Sequence, residues 1–321
     1  MASQTLTPSF IQTAEIEFGK GASPKSDTAP PTLIIASYNI RYGVGQFLIS
    51  TGILRKFGLN VPSNRSQAVA ENIRLAASVL SDGLRLPPVD ILALQECDKE
   101  TARAGGHHIT RELAELLQMG WVHVSAGIPR GVEPKDRQWW LNFEEQIGFH
   151  DPGDTGVSLL TRFPMEDVTR IDLPWNDCPW RPRLSVGATV RVGDKALRIF
   201  NSHIDPHTSV GGQLEQVEVV LDEADKFNDP TIVLGDFNTL SRRKRIDTRR
   251  RLEARGFTTP FPTGTPTWRG AGLRLHADWI FVRNVNVVRW GVGRNITVSD
   301  HWPIWVEVAL ELPIANCRLS I

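Results

Sequence analysis

Thr231-Ile-Val-Leu-Gly-Asp-Phe-Asn238 is the stretch from which the rest of the chain can be read. Its aliphatic and β-branched residues make a buried-strand pattern, and Gly235 permits a sharp turn where the strand ends. Asp236 and Asn238 are thereby carried to the strand mouth. A carboxylate and a carboxamide two residues apart can face one small anionic centre there. Asp-x-Asn alone is also a common turn pair, so its meaning comes from repetition. Thr32-Leu-Ile-Ile-Ala-Ser-Tyr-Asn39, Asp90-Ile-Leu-Ala-Leu-Gln-Glu96 and Leu197-Arg-Ile-Phe-Asn-Ser-His203 end the same way. Ala277-Asp-Trp-Ile-Phe-Val282 carries Asp278, and Ser299-Asp-His301 precedes another apolar run. A core would not select these groups, because an unpaired buried carboxylate is costly.

The ordered series Asn39, Gln95-Glu96, Asn201-x-His203, Gly235-Asp-x-Asn238, Asp278 and Ser299-Asp-His301 resembles the endonuclease/exonuclease/phosphatase superfamily, the DNase I-like metal-dependent phosphoesterases. The resemblance runs from about residue 32 to about residue 310, and as an ordered set it is far more specific than any one motif. It implies a four-layer α/β sandwich of two packed mixed sheets with helices outside. The residues independently suggest this fold, because strands arrive alone, in hairpins and between helices rather than in uniform βαβ alternation.

A phosphodiester resists attack because its anionic oxygens repel nucleophiles, so a catalyst must neutralise charge, supply hydroxide and help the leaving oxygen depart. Few carboxylates and amides suit Mg²⁺, with Mn²⁺ as the alternative. The expected metal residues are Glu96 first, with Asn39 and Asp300 completing or supporting the site. The resemblance assigns Asp278 to orient His301, which then acts as base or as a phosphate-binding acid. Asp236 positions or deprotonates the attacking water, and which of Asp236 and His301 is the base is left open. Asn238 is expected to hold a non-bridging oxygen, and His203 to donate to the phosphoryl oxygen or leaving group with Asn201 in support. The apurinic-site endonuclease branch usually has tyrosine where this chain has His203. The likeness therefore leans to the DNase I, sphingomyelinase and phosphatase branches.

The expected function is divalent-metal hydrolysis of a phosphoester, most of all a phosphodiester. A phosphomonoesterase on the same site and a catalytically silent binding module are the alternatives. Nucleic acid, a phospholipid head group and a small phosphoester are the substrate classes considered. The 36 basic and 36 acidic residues balance, so the overall charge provides no steering toward nucleic acid. Arg242 to Arg255 is locally basic and reads either as a grip for further phosphates or as a solvated helix face. Trp139, Trp140, Trp175 and Trp180 could stack bases, touch a membrane interface peripherally or plug a sheet edge, and Arg181 and Arg183 could clamp a distal anion. Asp205 and His207 are either substrate contacts or part of a capped turn.

Residues 1–30 read as a flexible lead in which Ala14 to Phe18 alternates like an edge strand, residues 31–312 as the catalytic domain, and 313–321 as a C-terminal tail. The insert with Phe47 and Leu54 could form a lid or pack on the domain. Helices are expected from Ser66, through Leu113 to Leu117, from Gln213 to Ala224, and after Asn238. Cys97, Cys178 and Cys317 fit neither a disulfide framework nor a zinc cluster, and no apolar run approaches the roughly 18 residues of a membrane span. With no secretory signal pattern at the N-terminus, a cytoplasmic monomer is the expectation.

Overall fold

A computed structural model describes residues 15–21, 30–45, 64–130, 147–175, 182–270, 272–294 and 296–310. The expectations for the insert around Phe47 to Leu54, for Trp139, Trp140, Trp180 and Arg181, and for residues 313–321 lie outside the described residues.

Strand β1 (Ile16–Gly19) falls within the N-terminal lead and is followed by β2 (Leu33–Asn39), helix α1 (Arg65–Ser81), β3 (Ile91–Gln95) and α2 (Ile109–Leu117). Next come β4 (Gly120–Ser125), β5 (Gly156–Thr161), β6 (Met165–Leu173), β7 (Arg183–Val192) and β8 (Lys195–His203). The chain continues through α3 (Val210–Ala224), β9 (Thr231–Asp236) and α4 (Arg242–Ala254). It ends with β10 (Trp268–Gly270), β11 (Leu273–Leu275), β12 (Asp278–Arg283), β13 (Asn286–Val292) and β14 (Ile304–Ala309).

One sheet has the order β1-β4-β5-β3-β2-β14-β13 and the other β12-β9-β8-β7-β6, while β10 and β11 form a separate hairpin. The two mixed sheets pack face to face with helices outside, which is the α/β sandwich expected. Strands β2 and β3 are buried along their whole length because both faces are covered. Leu33 and Ile35 enter the core between the sheets, whereas Ile34, Ala36 and Tyr38 pack with Val69, Ile73 and Leu113 of the helical layer.

Among the described residues two pairings are parallel, β2 with β3 and β8 with β9, and these set the position of the site. Parallel neighbours end at the same side, so Asn39 lies opposite Gln95 and His203 opposite Asp236. Antiparallel β12 begins where β9 ends, with Asp278 opposite Asp236. Antiparallel β14 places its Ile304 opposite Ser37, which leaves His301 just beyond the end of β2. All the strand mouths singled out in the sequence therefore open on one edge of the sandwich.

Gly235 has a role different from the turn anticipated. It lies inside paired β9 with φ at 137°, and a Cβ there would stand 2.0 Å from the Ser202 carbonyl oxygen of β8. Close approach of two backbones is the reason for glycine here. Strand β6 has no counterpart among the expected strands, because the register shift between Glu166 and Thr169 breaks its alternation. The apolar run after His301 becomes a strand from Ile304, since Pro303 cannot donate to a ladder.

Asn201 also sits differently from its expected place beside His203. Its Nδ2 donates to the carbonyls of Leu94 and Ser158, both at 2.8 Å, and its Oδ1 accepts from Gln95 Nε2 at 2.6 Å. It ties the two sheets together beneath the site. Asn201→Ala would strip buried partners from both sheets and is expected to cost about 3 kcal/mol, read as a lower urea midpoint with an unchanged slope.

Candidate active site

Each side chain is held by a local device. Glu96 follows β3 with φ at 51°, a left-handed conformation that non-glycine residues seldom adopt. Tyr42 N donates to the Glu96 carbonyl at 2.8 Å, fixing that turn. Two residues on, the Asp98 carboxylate accepts from Arg103 Nε at 2.6 Å and Nη2 at 2.9 Å, a buried bidentate anchor. Asn238 is likewise left-handed at φ 49°, and its backbone N–H donates to Asp236 Oδ1 at 2.9 Å. Strain at such positions persists only where the surroundings over-determine it.

Asp236 is the hub and is 1% exposed. Its Oδ2 accepts from Asn39 Nδ2 at 2.9 Å, while His203 Nε2 and His301 Nε2 each stand 3.7 Å from the same oxygen. That is too long for a direct hydrogen bond and leaves both imidazoles facing a common space. Glu96 Oε1 lies 3.7 Å from His203 Nε2. On its far side His301 Nδ1 contacts Asp278 Oδ2 at 2.9 Å, so the carboxylate fixes the ring's orientation. The Asp278 backbone N–H is held by Thr267 Oγ1 at 3.0 Å.

Burial, reinforced by the Asp278 charge, pushes the Asp236 carboxyl up to about 6, although His301, Asn39 and the Asn238 N–H favour its ionised form. Burial alone would lower His301, but the carboxylates of Asp278 and Asp236 override it and lift the imidazole to about 10. The neighbouring carboxylates thus favour the imidazolium form of His301 at neutral pH.

The remaining expected residues fall around this hub. Asn39 Oδ1 accepts from Arg41 N at 3.0 Å, and its backbone carbonyl accepts from Ser299 Oγ at 2.8 Å. Asp300 Oδ2 accepts from Trp268 Nε1 at 3.0 Å and lies 3.4 Å from Arg41 Nη1. Asn238 spends one side-chain N–H on the Ile204 carbonyl at 2.9 Å. The sequence reading missed Arg41 and Trp268, although Arg41 follows Asn39 by two residues and that spacing was a usable signal. Arg183, read as a distal clamp, is instead 4% exposed with Nη1 2.9 Å from each ring nitrogen of His203. Together with Glu96, His203 and Pro182 it lines a cleft beside the hub.

Two kinds of donor set are present. Asp236, Asp278 and His301 offer ligand atoms within 4.8 Å of one another. The Nδ1 of His301 is already committed to Asp278, which suits a proton relay better than a metal centre. Glu96 and Asn39 offer oxygen donors, the Asn39 Nδ2 being committed to Asp236 and its Oδ1 keeping one lone pair beside the bond from Arg41 N.

The family profile "Endonuclease/Exonuclease/phosphatase family" matches residues 36–301, most of the chain and all of the hub. The chain belongs to this family. Solved members share the fold at low identity. An endonuclease/exonuclease/phosphatase from Beutenbergia cavernae is 16% identical with TM-score 0.60, covering 88% of this chain and 72% of its own. A mannosyl-6-phosphatase from Bacteroides thetaiotaomicron is 20% identical with TM-score 0.56, covering 86% and 99%. A TDP2 from D. rerio, humanized by 14 mutations, is 15% identical with TM-score 0.51, covering 87% and 99%. No curated protein matches the chain by sequence. Family membership supports phosphoesterase chemistry.

The basic run is paired in part, with Arg242, Arg243 and Arg250 exposed. It forms α4, whose Arg251 and Arg255 pair with Glu218 of α3 at 2.6 and 2.7 Å, while Arg255 also reaches Asp222 and Asp225. Arg249 pairs with Glu253 within the helix at 2.7 Å. Asp205 resolves in part as a capped turn, its Oδ1 accepting from His207 N at 2.8 Å. Among the described residues no helix is long and apolar enough to cross a membrane.

Proposed function

We propose that the chain hydrolyses a phosphodiester by direct attack of water, with a divalent cation, Mg²⁺ or Mn²⁺, as cofactor. The observation that carries this reading is Asp236 Oδ2 facing two imidazoles at 3.7 Å, one of them backed by Asp278. Glu96 and Asn39 Oδ1 would hold the cation, with Asp300 in support, and it would offset phosphate charge and lower the pKa of bound water. Asp236 orients the attacking water and accepts its proton as the new P–O bond forms. His301, as imidazolium, holds a non-bridging oxygen whose charge grows in the transition state. His203, set against Arg183, presents its ring to the departing oxygen, and Asn238 supports the phosphoryl oxygen with its remaining N–H. The pairing of Arg249, Arg251 and Arg255 takes away part of the support for a nucleic-acid grip, and a small phosphoester is the substrate class of this reading.

The test is hydrolysis of a bis-aryl phosphate with and without Mg²⁺, beside Glu96→Ala and a mono-aryl phosphate. Loss of turnover in chelator and in the variant supports the reading, and equal rates in all arms discard it. Preference for the mono-aryl ester would select the phosphomonoesterase.

The pH profile is a second expectation. If catalysis needs Asp236 ionised, log kcat/KM rises with pH through about 6. It falls again where His301 loses its proton, near 10. Asp278→Asn removes a charge that raises both groups, so both limbs should move to lower pH. The stability contribution of the raised His301 has the matching sign, being complete below the unfolded value of about 6.5 and lost as pH rises through about 10.

A further inference from the structure

Next to the hub lies a second, larger cavity that the proposed chemistry does not use. It measures about 200 Å³ and is lined by Pro174, Trp175, Asp205, Thr208, Ser209, Gly212, Glu215 and Gln216. A single ordered water needs on the order of 10–15 Å³ of such space, so the cavity has room for a small organic group. It adjoins the hub through short hydrogen bonds. Gln213 Nε2 donates to the carbonyls of Asp205 and Asn238 at 2.8 and 3.2 Å, and Asp205 is two residues beyond His203.

Asp205 gives the cavity its chemistry. The residue is 1% exposed, its Oδ1 is occupied by the His207 N–H, and its Oδ2 is buried with no hydrogen-bond partner. A buried carboxylate oxygen left without a donor is costly unless a ligand supplies one. Among the described residues no donor reaches it. Gln216 spends Oε1 on the Asp205 N–H and Nε2 on the Pro174 carbonyl, at 2.9 and 2.5 Å. Lys244 Nζ gives two of its three N–H groups to the carbonyls of Pro206 and Thr208, at 3.0 and 3.1 Å, and its charge offsets that of Asp205 without a hydrogen bond to Oδ2.

The other walls narrow the ligand class. A second phosphate would meet the carboxylates of Asp205 and Glu215. A quaternary ammonium has no N–H or O–H to give Asp205, and is recognised by aromatic cages where the described lining has one indole, Trp175. A neutral polyol satisfies the set: one hydroxyl donates to Asp205 Oδ2, others meet Ser209 and Glu215, and the C–H face lies on Trp175. Resting on the phosphoesterase reading, we propose that this cavity is a subsite for a hydroxyl-rich, sugar-like or cyclitol group esterified to the phosphate cleaved at Asp236. The site would thus select polyol phosphoesters over choline or nucleotide esters.

The test compares kcat and KM for glycerophosphoinositol, glycerophosphocholine, glycerophosphoethanolamine and a bis-aryl phosphate. Wild-type protein should prefer the inositol ester to the choline ester by about tenfold or more in kcat/KM. Asp205→Asn retains the oxygen for the His207 N–H and replaces the unpartnered acceptor by a donor. It should lower the ratio of inositol ester to bis-aryl phosphate about tenfold, chiefly through KM. Trp175→Ala should move the ratio the same way without altering the carboxylate. Unchanged ratios in both variants, or preference for the choline or ethanolamine ester, overturns the subsite while turnover of the bis-aryl phosphate leaves the phosphoesterase reading standing. If nothing is hydrolysed, that reading fails, and saturation-transfer NMR with free myo-inositol decides the subsite. Contact in wild type that is lost in Asp205→Asn supports it, and absence of contact in wild type overturns it.

Discussion

Asp236→Asn should lower kcat on a bis-aryl phosphate by about 10²- to 10⁴-fold, the range a positioned general base contributes. The substitution is nearly isosteric, but Asn39 Nδ2 and the Asn238 N–H both donate to Asp236 and a carboxamide offers one oxygen, so one of the two bonds is lost, and near-ultraviolet circular dichroism matching the wild type shows that the fold survives. The substitution removes the one property the mechanism needs, an oxygen able to accept a proton in front of both imidazoles. His301→Gln should produce a loss of about 10²- to 10³-fold by a different route, since it deletes a charged donor aimed at the developing oxyanion. The two variants separate through pH. Asp236→Asn abolishes the limb near 6, whereas His301→Gln abolishes the limb near 10. A loss below tenfold in Asp236→Asn would remove that residue from the role of base.

Gly235→Ala is expected to be the most damaging small substitution in the described chain. The added Cβ would fall 2.0 Å from the Ser202 carbonyl oxygen, a backbone atom that cannot swing aside, at a φ of 137° where alanine is itself strained. Overpacking and backbone strain together amount to about 3–5 kcal/mol, enough to consume much of a typical domain's stability. Urea unfolding should show the drop in midpoint. Because β8 and β9 end at His203 and Asp236, any protein that remains folded should also lose turnover. A midpoint within about 0.5 kcal/mol of wild type would mean that the two strands separate easily here.

The strands that build the site were legible because each is an apolar run ending in a polar residue, a conjunction local to a few positions. Their convergence was carried by the order of motifs, and the register of two parallel pairs accounts for it physically. Asn201 was read as a helper of His203 because residues two apart share a face of a strand. They do share it, but Asn201 lies one pleat deeper, between the sheets. Arg41 and Trp268 were harder to assign, since their relation to Asp300 depends on how β10 and β11 fold back, and three-residue strands carry little pattern. The basic character of α4 was plain in the sequence, whereas Glu218 and Asp222, which pair with its Arg251 and Arg255, belong to another helix. Composition along one segment cannot reveal a partner that tertiary packing supplies.

The tie through Asn201 and Gln95 has a mechanical consequence. Asn39, Glu96 and His301 ride on one sheet, and His203, Asp236 and Asp278 on the other. Neither half owns a working constellation, so catalysis requires the two slabs to be aligned as well as folded. Slight sliding along their common interface would pull Asp236 away from Asn39 and His301 while leaving every ladder and helix intact. Turnover should then fade before any spectroscopic sign of melting, which makes this enzyme a gauge of its own internal shear.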